Sequence, residues 1–201
     1  MSKCTEQNTL YEDIEFCQGK KSLPGIRPYI FGISKRDIAQ WPTIGAAESL
    51  AEVAVYTGDF TLVADKVWHK LELVPEDGQF TCESQGTYGS KTFKNAVTVS
   101  MPGTEEEATG YIAQANNDDM VYLVPQRNGK YRVMGSEAFN TELSLKQDSG
   151  KAATDSNVTT MEISATDEYP APFYAGQIVT SYGTYDGETG ELTPPSDEAG
   201  G

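Results

Sequence analysis

The sequence predicts a mainly β fold of the α+β class, a sandwich or barrel with one helix laid on a side. Three observations carry this. Residues 104–135, TEEEATGYIAQANNDDMVYLVPQRNGKYRVMG, read as a capped helix followed by a β-hairpin. On both sides of them, short runs alternate apolar and polar residues with period two. Clusters of Gly, Pro, Asn and Asp separate those runs, giving about eight to ten strands against a single well-marked helix.

In the helix, Thr104 stands at the N-cap and Glu107 three residues on, the spacing of a capping box. Glu105, Glu106 and Glu107 place negative charge at the positive end of the helix dipole. Ala108, Tyr111, Ile112 and Ala115 form one apolar stripe over roughly 104–116, and Asn116-Asn117 stop it. Met120 to Val124 and Tyr131 to Met134 are β-rich runs around Arg127-Asn128-Gly129-Lys130, a hairpin signal.

Taken from the start, residues 1–20 are polar, and Cys4 and Cys17 read as two ordinary thiols. Residues 21–44 are rich in large apolar groups without a clean period. Two readings stand: an extended arm that docks on a neighbouring subunit, or an irregular first strand and loop packed on its own core. Ser34 is placed to cap one turn from Lys35, and Trp41-Pro42 ends it, since proline disfavours helix in the preceding residue. Residues 46–55 are ambiguous between helix and strand. Val67, His69 and Leu71 then alternate with Trp68, Lys70 and Glu72, which puts His69 on an apolar face. Strands follow at Phe80–Glu83, Phe93–Met101, Thr141–Lys146, Val158–Ser164 and Gln177–Tyr182, with a proline-bounded aromatic link at 169–174. Residues 185–201 are acidic and rich in Gly and Pro, the composition of a flexible tail, which leaves 1–184 as one domain.

Charge excludes one class of function. Lys plus Arg is 15 against Asp plus Glu 30, a net −15 over 201 residues. A protein that grips nucleic acid must neutralise phosphates with cations, and this chain has the opposite balance. Three cysteines without zinc-type spacing argue against a disulfide framework or structural zinc. The first residues lack the apolar core of a signal peptide, and no run reaches a membrane span, so a cytoplasm where thiols stay reduced is the expected compartment.

No catalytic constellation stands out. His69 is the single histidine and reads as a packed side chain. Asp118-Asp119 read as a solvated turn, because adjacent strand residues point to opposite faces. Gly86-x-x-Gly89-Ser90-Lys91 lacks phosphate-loop spacing. The expectation is no enzyme, no cofactor and no metal.

The chain resembles the tail tube (major tail) proteins of long-tailed bacteriophages of the kind that infect Bacteroides-group bacteria. The likeness is carried by Ser22-Leu-Pro-Gly-Ile-Arg27, Lys35-Arg-Asp-Ile38 with Trp41-Pro42, and Gly58-Asp-Phe-Thr-Leu62 followed by Trp68. Further on it rests on Glu83-Ser-Gln-Gly86, residues 102–110, Asn116-Asn-Asp-Asp119 and Pro170-Ala-Pro-Phe-Tyr174. It runs over about residues 4–183 and is one of order and texture. It implies a two-sheet β-sandwich with a flanking helix, and hexameric rings stacked into a tube whose inner strands close one large β-barrel. It also implies a virion location in the tail, other tail proteins as partners (tape measure, terminator, distal tail), no membrane, and DNA passing through without specific binding.

With that resemblance the arm reading of 21–44 is favoured. Ile26, Tyr29, Phe31, Ile38 and Trp41 become candidates for burial between subunits, and Arg127 and Lys130 at the hairpin tip for contact with an acidic neighbour. Glu72, Glu142 and Glu162, on polar strand faces, become lumen candidates, because an acidic lining repels phosphate. Alternatives remain open: a terminator or connector ring, the inner tube of a contractile injection machine, or a carbohydrate-binding sandwich stacking sugars on Tyr29, Trp41, Trp68, Tyr88, Phe173 and Tyr174.

Overall fold

The computed structural model describes residues 11–195. The first strands are β1 (Tyr29–Ser34), β2 (Ile38–Gln40), β3 (Val55–Tyr56), β4 (Thr61–Leu62) and β5 (His69–Glu72). Then come β6 (Gln79–Gln85), β7 (Thr92–Pro102), the helix α1 (Glu106–Ala115), β8 (Met120–Pro125) and β9 (Tyr131–Met134). The chain continues through β10 (Thr141–Asp148), β11 (Val158–Asp167), β12 (Phe173–Tyr174), β13 (Gln177–Thr180), β14 (Gly183–Asp186) and β15 (Leu192–Thr193). The fold is mainly β with one α-helix among the described residues.

Two sheets form the sandwich. One has six strands in the order β3-β12-β9-β8-β1-β5, antiparallel except for the β12–β3 pair. The other has four antiparallel strands in the order β10-β11-β7-β6. A three-stranded sheet, β13-β14-β15, and the pair β2-β4 complete the molecule.

The six-stranded sheet is covered on both faces. Ile30, Tyr122, Val124 and Met134 share one core with Val97, Val99, Met161 and Ile163 of the four-stranded sheet. Tyr111, Ile112 and Ala115 pack against that same core from α1, as their helical spacing predicts. Phe31, Ile33, Val121, Leu123, Tyr131 and Val133 share a second core with Phe60, Trp68, Ile178 and Tyr185. Successive strand residues point to opposite faces, so a strand buried on both reads as an unbroken apolar run. That is why Tyr29–Ile33 and Met120–Val124 show no alternation, whereas β10 and β11 do.

Several expectations are corrected. Residues 26–38 form no extended arm. They supply β1, which pairs with both β5 and β8, and Ile26, Phe31 and Ile38 are buried in the chain's own cores. The acidic tail reading of 185–201 fails for its first half. Tyr185 is buried, and β14 and β15 form a hairpin whose turn is closed by Asp186, its carboxylate accepting from the Glu188 and Thr189 amides. The Asp-Gly-Glu-Thr-Gly turn chemistry was the legible signal for it. The domain therefore runs to Thr193, and residues 196–201 lie outside the described part, as does Cys4.

The capping box does not form. Glu105 flanks the helix without a side-chain cap, and the Thr104 carbonyl accepts from the Thr109 hydroxyl at 3.1 Å. Gly103 is tied to the start of β11, its amide donating to Asn157 O at 3.0 Å and its carbonyl accepting from the Thr159 hydroxyl at 2.8 Å. The chain turns into the helix only beyond that anchor. His69 shares the first-core side of its strand with Leu71, as the alternation predicts, but it is exposed there rather than packed, and its neighbour Trp68 enters the second core on the other side. At the hairpin tip the Gly129 amide donates to Gln126 O at 3.0 Å and Gly129 has φ +97°. Asn128 keeps an ordinary φ, so glycine alone takes the left-handed position.

Candidate assembly surfaces

The four-stranded sheet keeps one face dry and one wet. Its inner residues, such as Val97, Val99, Met161 and Ile163, point to the first core. Its outer residues line up in register. Ser144, Glu162, Thr98 and Gln79 make one row across the strands, and Glu142, Ser164, Ala96 and Thr81 make the next. On one side of these lie Thr166, Lys94 and Glu83, and on the other Lys146, Thr160 and Ser100. Hydroxyls dominate this face. Short polar side chains on a sheet surface hold water and bond one another, as Ser100 and Thr160 do at 3.4 Å. Glu142 and Glu162 occupy adjacent rows on adjacent strands, so the structure brings these two lumen candidates together. Both are exposed. Glu83 and Lys94 stand directly opposite each other, and Lys146 reaches Asp148 at 3.5 Å.

Glu72 does not join them. It lies on β5, an end strand of the other sheet, and accepts from Lys70 at 3.1 Å.

The sheet ends in two edge strands, β10 with eight residues and β6 with seven, neither paired on its outer side among the described residues. Edge strands present a row of unmatched amides and carbonyls, which templates pairing with another chain. These two are long compared with the edge strands of the six-stranded sheet, β3 and β5.

The interface candidates fall out differently from expectation. Ile26, Phe31 and Ile38 serve the interior. Tyr29 packs at 5.5 Å from Phe31, and its hydroxyl meets that of Tyr131 at 3.1 Å. Trp41 is half-buried against Phe60 at 5.3 Å. Arg127 is committed within its own chain: its guanidinium donates to Glu76 at 2.6 Å. Lys130 is exposed, makes no ion pair among the described residues, and lies 5.9 Å from the Phe173 ring. Of the ten named residues, Glu142, Glu162 and Lys130 remain free on the surface.

The sugar-stacking set is dispersed. Trp68 and Tyr174 are core residues, Phe173 lies under the Arg132 guanidinium at 4.2 Å, and Tyr88 is fully exposed on the β6–β7 loop. Among the described residues no group of three His, Cys, Asp or Glu is placed to hold a metal, and no helix is long and apolar enough to cross a membrane.

Sequence reasoning missed one exposed segment. Residues 11–25 are exposed throughout and carry no regular structure except a turn at 18–19. Tyr11, Ile14 and Phe16 are 90%, 87% and 91% exposed. The signal was present as Ile14 and Phe16 alternating with Asp13 and Glu15. No protein-family model, curated protein or solved structure matches this chain.

Proposed function

We propose that the chain is a structural subunit of a phage tail, polymerising as hexameric rings that stack into a tube and conduct DNA. One observation carries this reading: a four-stranded sheet with a hydroxyl-rich, carboxylate-bearing outer face and two long unpaired edges. If β10 of one copy pairs with β6 of the next, the edges vanish and the sheets close into a barrel. Head-to-tail contacts of this kind make rings when the rotation closes. The wet face then lines the bore. Ser and Thr hydroxyls there offer neutral contacts, and Glu142 and Glu162 repel phosphate, so a duplex slides without being held. The chain's net charge of −15 supports the same conduit role.

Negative-stain microscopy of the concentrated protein is the test. Long tubes with an open channel are expected. Single rings that never stack would instead favour a terminator or connector, and particles that stay monomeric at high concentration would sink the assembly reading.

A further inference from the structure

We propose that the β6–β7 loop of one copy docks in an acidic, aromatic-rimmed pocket of the next copy, with Lys91 set against Glu137, Asp167 and Glu168. The proposal rests on the self-assembly reading above and names the side chains that lock its strand pairing.

The pocket has a volume of about 370 Å³ and lies where β9 leads into β10 and β11 into β12. Trp41, Tyr56 and Phe139 supply its rings, and Glu137, Asp167 and Glu168 its carboxylates. Asp167 is only 5% exposed and accepts from the Tyr169 amide at 3.1 Å. None of the three carboxylates is in an ion pair among the described residues. Lys35 approaches this loop but donates to the Glu137 carbonyl at 2.9 Å and to Asn140 Oδ1 at 2.7 Å. Burial, and then the charges of Asp167 and Glu137, push the Tyr56 hydroxyl well above its ordinary value, which marks the pocket as negative. A buried carboxylate without a cation costs the free subunit stability, and a cation brought from outside relieves that cost. Aromatic faces beside carboxylates suit an ammonium or guanidinium group.

The β6–β7 loop carries such a group. Lys91 is exposed and makes no ion pair among the described residues. Tyr88 beside it is 100% exposed, a ring free to lie on the aromatic rim. The loop is already shaped: the Ser90 amide donates to Thr87 O at 3.0 Å, and Gly86 and Gly89 take φ +89° and +90°. A loop ordered before it docks loses little entropy on docking.

Strand direction points to a second copy. Every pair in the four-stranded sheet is antiparallel, so its edge strands β10 and β6 run in opposite senses. Thr141, Ala165, Asn95 and Cys82 stand in one row across it. β10 therefore starts at the end of the sheet where β6 finishes. Joining β6 of one copy to β10 of the next keeps the antiparallel alternation and brings the loop after β6 against the loop before β10. That second loop, 136–139, is a wall of the pocket. The chain's own β6–β7 loop lines none of it, and on its own copy β7 and β11 stand between β6 and β10. The contact is thus head-to-tail and repeats from copy to copy.

Two variants of the full chain test this: Lys91→Glu, and Glu137→Lys combined with Glu168→Lys. All three positions are exposed, so both variants should melt with wild type. Each alone should self-associate at least about tenfold more weakly in sedimentation, because loop and pocket then carry like charge. Mixed in equal amounts they should recover wild-type association, since each loop then meets opposite charge on a copy of the other variant. Either variant associating alone as tightly as wild type would overturn the proposal. So would a mixture that fails to recover. If one chain carrying all three substitutions recovers where the mixture does not, the contact lies within a copy. Wild type that stays monomeric would remove this contact and the assembly reading together. Recovery in the mixture, with particles that are neither rings nor tubes by microscopy, would keep this contact and remove the tube reading. Tubes of Lys91→Glu as abundant as those of wild type would keep the tube reading and remove this contact.

Discussion

Tyr122 shows how the interior of this protein handles a polar atom. Its ring is fully buried, and its hydroxyl meets that of Tyr111 at 3.0 Å and Met161 Sδ at 3.8 Å. Burial pushes the Tyr111 hydroxyl up to about 12 and Tyr122 higher still, so both stay neutral and share a proton donor. Removing either hydroxyl strands the other. Tyr111→Phe and Tyr122→Phe should each cost about 1–2 kcal/mol, and the double variant clearly less than their sum. Additive costs in urea unfolding would refute the pairing. Asp167 is the opposite case. Burial holds its carboxyl above the ordinary range, offset in part by the Tyr169 and Glu168 amides. The folded chain keeps that proton where the unfolded chain has released it. Stability from this group is therefore full at low pH and lost as pH rises through the raised value. Asp167→Asn should melt higher than wild type at about pH 7, with the gap closing near about pH 3. A gap independent of pH would rule out this account.

At the scale of elements, legibility tracked how many faces a strand buries. β10 and β11 have one dry face, alternate, and were readable to within a few residues. β1 buries both faces, lost its alternation, and so passed for an arm. The helix was readable from its stripe, yet its cap was not, because the anchor at Gly103 comes from Asn157 and Thr159, far along the chain. The β14–β15 hairpin was missed because composition outweighed turn chemistry. Its Tyr185 ring lies 4.9 Å from Phe31 and 6.3 Å from Tyr29. Tyr185→Ala should cost roughly 3 kcal/mol, and ending the chain after Thr184 at least as much. A truncated protein with an unchanged denaturation midpoint would restore the picture of a dispensable tail.

At the scale of the molecule, three layers stack: the wet four-stranded sheet, the doubly buried six-stranded sheet, and the small sheets beyond. The candidate site was half legible. Glu142 and Glu162 were recognisable as polar-face residues, but their adjacency depends on the β10–β11 register. The exposed segment at 11–16 was passed over because polarity masked three large side chains. Placing positive charge on the wet face tests its role without touching the fold. Glu142→Lys with Glu162→Lys should shift stability by no more than about 0.5 kcal/mol, since both are exposed. If tubes form, the variant tubes should retain duplex DNA that wild-type tubes release, more strongly at low salt. Equal retention by both would mean that this face does not line the bore.

The place of β12 in the six-stranded sheet bears on when the fold is completed. Phe173 and Tyr174 insert between β9 and β3, pairing in parallel with Val55 and Tyr56. The strand that joins β3 to the rest of the sheet is thus made last, more than a hundred residues after its partner. Closing so long a loop is slow, and a chain still on the ribosome cannot do it until residue 174 has emerged. The six-stranded sheet is thereby completed only in a finished or nearly finished chain.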